Sequence, residues 1–317
     1  MSTRTSTHPA PSATSLATGL GPVGLVLLAA MLWGTTGTAQ HFAPGDLSAY
    51  WVGSLRMLMA ALFFGVLALC ARPQAGIAQP RQPTSRMGPR ILFCGLCMAV
   101  YNLSFFAGVR ACGVALGTAL AIGSGPIWAG FMQAAVQKRW PAALWWLGTC
   151  IGVSGGIVMA LASTGAAGGL PWHGMALCLL AGMSYAAYAL ANQALVRAGP
   201  VARANARVFG CAALLSLPCA ALLGGPLHTT PEGWAVVAYL GVVATGCAYL
   251  LFSMGLRGMS VATGVALSKA EPITAFALSL AVVGERPAWW AVLGLAAVIC
   301  GLWLVVRAEM REAGAPD

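Results

Sequence analysis

The sequence predicts an all-α integral membrane protein, ten transmembrane helices arranged as two inverted five-helix repeats. Three observations predict it. Only 8% of the 317 residues are charged and 59% are hydrophobic, with a mean hydropathy of +0.81, where a soluble domain carries about a quarter charged residues. Apolar runs of roughly 20 residues, the length that spans a bilayer core, recur from end to end. Segments of the first half also return, in the same order, in the second. So much apolar surface excludes a soluble globular protein, a disordered chain and a nucleic-acid binder, and makes the lipid bilayer the solvent.

Residues 1–17, rich in Ser, Thr and Pro, read as a disordered cytoplasmic tail. The apolar stretch behind them is too long for a secretory signal and has no convincing cleavage site, so it spans. The helices expected are Thr18–Gln40, Leu47–Cys70, Ile91–Val109, Val114–Val136 and Ala142–Ser163, forming a first repeat over 18–163. Trp172–Val196, Ala204–Leu223, Gly233–Leu256, Ser260–Val283 and Ala288–Val306 form a second over 172–307, followed by a cytoplasmic tail at 308–317. Connections are short except the Pro/Arg-rich segment Ala71–Arg90.

The net charge of +10 comes from 17 Lys+Arg against 7 Asp+Glu, and in a membrane chain its distribution reports topology. With a cytoplasmic N-terminus, twelve cations face inward: Arg4, Arg72, Arg81, Arg86, Arg90, Lys138, Arg139, Arg197, Arg203, Arg257, Arg307 and Arg311. Only Arg110 and Arg286 lie in outside loops. Both termini are therefore expected in the cytoplasm, with an even number of spans.

The repeat is read from four matches. Gly108-Val-Arg110, Val114, Gly117 and Leu120 return 147 residues later as Gly255-Leu-Arg257, Val261, Gly264 and Leu267. At an offset of 146, Pro126, Pro141, Gly148 and Gly155 pair with Pro272, Pro287, Gly294 and Gly301. Trp33, Thr36 and Gln40 match Tyr185, Tyr188 and Asn192, and Arg56 matches Arg207. Five spans per half is odd, so the second half enters the membrane from the opposite side, an architecture suited to alternating access.

Few strongly polar groups fall deep in these spans. Glu271 is the one acid of the seven placed there, with Lys269 beside it, and charge at the bilayer centre is costly enough that both are expected to face protein or a watery cavity. Pro272 withdraws the amide that would bond the Ser268 carbonyl, leaving a kink and a free acceptor. Its repeat partner Pro126 interrupts the fourth helix at Gly123-Ser124-Gly125-Pro126. Interrupted segments at corresponding places in two halves point to a transporter's binding site. Lys269 and Glu271 acting only as a structural pair is the alternative.

Trp33, Thr36 and Gln40 share one helix face, as do Tyr185, Tyr188 and Asn192, and suit a small amphipathic or zwitterionic solute. Tyr101, Asn102 and Ser104, with Tyr249 and Ser253, are further candidates. All of these also serve equally well to join helices. Arg56 and Arg207 are possible anion contacts or snorkelling cations. Gly148, Gly152 and Gly156 form a small-residue stripe for helix packing. The ten cysteines lack the spacing of a disulfide framework and the four histidines do not cluster, so no metal and no cofactor is expected.

Leu32-Trp33-Gly34-Thr35-Thr36-Gly37, Arg56, and Glu271-Pro272-Ile273-Thr274-Ala275 ahead of Gly284-Glu285-Arg286-Pro287 and a glycine-containing tenth helix resemble the EamA-type drug/metabolite transporters. The resemblance covers about residues 20–307 with its five-plus-five organisation, and it is specific for the family rather than the substrate. It implies a bacterial inner-membrane exporter of amino acids or related metabolites, the Glu-Pro form being similar to threonine/homoserine-type exporters. The first half departs from the pattern: Gly125-Pro126 and Lys138-Arg139-Trp140-Pro141 lack the second half's acids, which places the ionisable work in the ninth helix.

The expected function is secondary transport: export of a small metabolite, an amino acid or derivative, coupled to protons. The chain has no GxxxxGK[ST] loop for ATP. A lipid or cationic-drug translocator is the alternative. A membrane-embedded transferase is remoter, for want of an acid pair or His/Asp cluster near an interface. The partners implied are the bilayer, a small-molecule substrate and protons; the sequence sets no oligomeric state, and a monomer is compatible with it.

Overall fold

The computed structural model describes residues 21–42, 47–71, 87–138, 140–162, 172–284 and 288–314. The N-terminal tail, Thr18–Leu20 at the expected start of the first helix, most of the Ala71–Arg90 connection and Glu285–Pro287 lie outside the described residues. Those described form ten helices and no strand. In chain order they are α1 Pro22–His41, α2 Ala49–Cys70, α3 Met87–Cys112, α4 Val114–Gln137, α5 Ala143–Ala162, α6 Trp172–Ala198 and α7 Val201–Leu223. Then follow α8 Pro231–Gly255, α9 Val261–Val283 and α10 Trp289–Gly314. Nine are long and apolar enough to cross a bilayer; α5 carries a shorter apolar stretch, Ala143–Met159. The last helix runs on from the expected Val306 to Gly314.

Helices are the outcome because a bilayer offers no water to unpaired backbone groups, so each span must satisfy its own. Their starts carry the expected chemistry. Pro22 and Pro231 occupy first-turn positions, and Ser48, Thr230 and Ser260 accept from amides three residues on. Large apolar side chains such as Leu69, Leu214, Leu222 and Trp303 face outward, and Trp140, Trp172 and Trp289 stand exposed at helix starts, as an aromatic interfacial belt requires.

The packed pairs include α5/α10, α3/α6, α2/α7, α4/α6, α3/α7, α1/α8, α1/α9, α2/α8, α4/α5, α9/α10 and α4/α9. Exchanging each helix for the one five places away maps this set onto itself, so that α3/α6 becomes α8/α1 and α4/α6 becomes α9/α1. The α5/α10 contact shows the same exchange in single residues. A methyl on Gly148 would lie 2.7 Å from the Gly301 carbonyl oxygen, and one on Gly155 would lie 2.5 Å from that of Gly294. The helices therefore run antiparallel, backbone against backbone. The contact face is Gly148, Gly152 and Gly155, and Gly156 has nothing within 4 Å. The i, i+4, i+8 stripe expected from the sequence is corrected to i, i+4, i+7, the spacing at which a straight helix holds one face over two turns.

One end of the bundle is stitched by side chains. Glu309 near the end of α10 accepts from the Ser260 amide (2.8 Å), the Ser260 hydroxyl (2.9 Å) and the Thr263 hydroxyl (2.5 Å), while Gln133 of α4 accepts from the Ala262 amide (2.8 Å). Gln193 donates to the Leu256 and Met259 carbonyls, and the Arg257 guanidinium to those of Val196 and Gly199. Lys138, Arg197, Arg203, Arg307 and Arg311 lie at this cationic end.

Because α5 and α10 touch through backbone, Gly301→Val should destabilise the purified protein by about 1–3 kcal/mol, the usual range for overpacking. Gly156→Ala, facing open space, should leave thermal unfolding unchanged, and side-by-side melts of the two variants check this.

Candidate functional site

The centre of the bundle is organised by two broken helices. In α4, Pro126 has no amide to give the Ile122 carbonyl one turn back. Lys269 of α9 fills the place: its Nζ donates to the carbonyls of Ile122 (3.1 Å) and Gly123 (3.3 Å). The side chain is 6% exposed and its stem passes Gly152, where a methyl would lie 3.9 Å from Cδ. A lysine buried to this degree needs acceptors, and the broken helix supplies two.

In α9 the break is accommodated differently. Residues Ser268–Ala270 form a 3₁₀ turn, and the Glu271 amide donates to the Ser268 carbonyl. The acceptor expected to be free is therefore taken, because a 3₁₀ turn shifts the bond from the fourth residue to the third. The Ser268 hydroxyl is also used, donating to the Val265 carbonyl at 2.7 Å. With Lys269 committed to α4, Glu271 lies half-buried against α1, so close that a methyl on Gly34 would come within 2.5 Å of the Glu271 carbonyl oxygen. Arg56 of α2 and Lys269 are the two cations neighbouring the carboxylate.

Around this centre stands an aromatic wall. The Trp33 ring meets Tyr249 at 5.1 Å, Phe252 at 5.4 Å and Tyr185 at 6.3 Å between centroids. Tyr185 meets Tyr101 at 5.6 Å and Tyr188 at 6.2 Å, and Tyr188 lies 5.8 Å from Tyr249. Helix α8 comes close to α2 here: it widens into a π turn at Val242–Cys247, next to Gly241, whose Cβ position is 3.5 Å from the Arg56 Cα. The Arg56 guanidinium stands beside the Tyr101 hydroxyl.

A family model for EamA-like transporters matches residues 21–161 and again 172–307. The chain belongs to the EamA-like transporter family. Its two matched segments are the two repeats of that family. It is similar to the uncharacterized transporter YwfM of Bacillus subtilis (strain 168), 35% identical over 289 residues, covering 90% of this chain and 94% of the relative. A biotin transporter of Salmonella typhimurium is 26% identical over 138 residues, 42% of this chain and 46% of that one. A crystal structure superimposes with a TM-score of 0.76 at 19% identity, covering 91% of this chain and 98% of the other, and supports the fold.

Within this EamA frame the sequence candidates separate. Trp33, Tyr101, Tyr185, Tyr188, Tyr249, Lys269, Glu271 and Arg56 converge on the centre. Thr36 is half-buried on α1, beside Thr35, whose hydroxyl receives the Tyr239 proton at 2.8 Å. Gln40 is exposed and lines a separate cleft of about 210 Å³ with Val52, Phe106, Thr229 and Leu240. Asn192 is held in a buried network, donating to the Ser253 hydroxyl (3.2 Å), which also bonds Asn205. Arg207 is exposed and among the described residues reaches the Met87 sulfur, so the structure does not bring it to Arg56. Glu309 and Gln133 escape the sequence reading; the capping pattern Ser260-x-x-Thr263, with no acid of its own in the first turn, is the signal that an outside acceptor completes it.

If Lys269 replaces the amide that Pro126 lacks, the two residues are energetically coupled. Lys269→Met should destabilise the wild-type background more than a Pro126→Ala background, where the regained amide bonds Ile122. A double-mutant cycle by thermal or denaturant unfolding should give a coupling of about 1–2 kcal/mol.

Proposed function

We propose that this EamA-family chain is a secondary transporter that exports a small metabolite, an amino acid or derivative, by alternating access with proton coupling. The observation that carries the reading is the meeting of two proline-broken helices, α4 and α9, at a centre holding Lys269 and Glu271, the arrangement in which membrane transporters place their solute. Support for an inverted pair of halves comes from the α5/α10 contact. A shift of 146 positions turns Gly148 against Gly301 into Gly294 against Gly155, and both contacts exist on antiparallel helices. A two-fold axis in the membrane plane produces that exchange. The cation distribution supports an inner-membrane protein with both termini in the cytoplasm, which makes the stitched end the cytoplasmic one.

The aromatic wall suits a solute with an apolar body, and Glu271 is the titratable group positioned to exchange protons between the sides. A Salmonella relative named as a biotin transporter supports a small organic solute. A tolerance screen in overexpressing cells identifies the solute as the compound newly survived. Inverted membrane vesicles should then accumulate it under an imposed pH gradient, and Glu271→Gln should abolish that accumulation while leaving the protein folded. Undiminished gradient-driven uptake by the Gln variant removes Glu271 from coupling.

A further inference from the structure

Beside the broken helices lies a group of polar atoms for which the described residues provide no partner. Asn102 of α3 is 1% exposed, and neither its amide nitrogen nor its amide oxygen is hydrogen-bonded. It sits in a notch left by Gly53 of α2, where a methyl would come within 2.6 Å of Oδ1 and 2.7 Å of Nδ2. One turn along α2, Arg56 presents a buried Nε that also lacks a partner, its guanidinium standing beside the Tyr101 hydroxyl. The buried Tyr185 hydroxyl, on the ring facing Tyr101, is unpartnered as well. Buried polar groups are normally satisfied, and several orphans close together mark a place that a ligand completes.

The chemistry of the orphans selects the ligand. Arg56 Nε, Asn102 Nδ2 and the Tyr185 hydroxyl all donate, so the ligand must bring acceptor oxygens, and a guanidinium fork matches a carboxylate best. Asn102 Oδ1 accepts, leaving room for one donor on the same solute. The rings of Trp33, Tyr101, Tyr185 and Tyr249 give a flat apolar body a surface to lie on. The Phe106 ring, which lines the cleft of about 210 Å³ at the end opposite the stitched one, also packs into the Gly53 notch beside Asn102 and so stands between the two.

We propose that Arg56 and Asn102 form a carboxylate seat, so that the solute carried is a carboxylate with a flat apolar body. The proposal deepens the transporter reading above and rests on it for the statement that the bound molecule is carried.

The test is binding to the purified full chain in detergent, read by thermal unfolding, with three probes of one shape: 3-phenylpropanoate, its amide, and 3-phenylpropylamine. The carboxylate should raise the melting temperature and the other two should not. Arg56→Gln and Asn102→Leu should each weaken the carboxylate's apparent affinity by roughly tenfold to a hundredfold, the loss expected for a hydrogen bond to a charged group. Arg207→Gln should change nothing. If Arg56→Gln does not fold, Asn102→Leu, which fills its site with an apolar side chain of similar size, carries the comparison. The proposal is overturned if the amide or amine shifts unfolding equally, if the carboxylate shift survives unchanged in both seat variants, or if no carboxylate from acetate to 4-phenylbutanoate shifts it. Binding without gradient-driven uptake would instead reject proton-coupled export and keep the seat.

Discussion

Everything at the centre of this bundle follows from one constraint: a carbonyl buried in a membrane protein must have a donor. Pro126 breaks the ladder of α4 and exposes the Ile122 carbonyl, and the donor arrives from the other half of the molecule as Lys269. A charge that would be expensive in lipid is thereby given a reason to be buried, and a helix break that would be expensive is mended by it. The repair ties α4 to α9. Since these are equivalent helices of the two repeats, the contact joins one half to the other.

The rest of the frame conforms to that arrangement. α5 and α10 close on each other through Gly148, Gly155, Gly294 and Gly301, at a distance no side chain permits. Gly152 is small for a second reason, since the Lys269 stem runs past it. Gly34 serves α9 in a similar way, letting α1 approach the backbone at Glu271. Close packing of small residues is how helices gain contact in a solvent as apolar as themselves. Here it also fixes how deep the ionisable groups stand.

The helices are legible in the sequence because length and hydropathy alone determine what spans a bilayer, and the repeat because prolines and glycines have positional meaning that substitution would destroy. The site is legible only in part. Trp33, Tyr185 and Glu271 stand out by depth and helix face, which are local properties. Repeat equivalence does not extend to environment at Arg207: Arg56 faces α3 and α8, whereas Arg207 reaches the start of α3 and is exposed, in keeping with a snorkelling cation. The notch at Gly53 needs two helices to exist, so no reading of α2 or α3 alone shows that Asn102 lacks partners. Glu309 reads as a tail residue because α10 outlasts its apolar stretch, and its role depends on where α9 begins.

A symmetric frame with unequal chemistry has a preferred state. If the two halves were identical, closing one end and closing the other would cost the same. The bonds at the cationic end come from Glu309, Gln133, Gln193, Ser260 and Arg257. Three of their repeat counterparts do not reproduce them. Ser260 corresponds to Gly113, which has no side chain to cap α4, and Gln193 to His41, which is exposed. Gln133 corresponds to Ser279, whose hydroxyl bonds within its own helix to Phe276. The opposite end holds the cleft instead. In the alternating-access reading proposed above, opening the stitched end breaks charge-assisted bonds for which the described residues of the other end show no equivalent. On that reading, a solute that turns the centre toward the stitched end must bind the second state more tightly than the first, by at least the difference those bonds make.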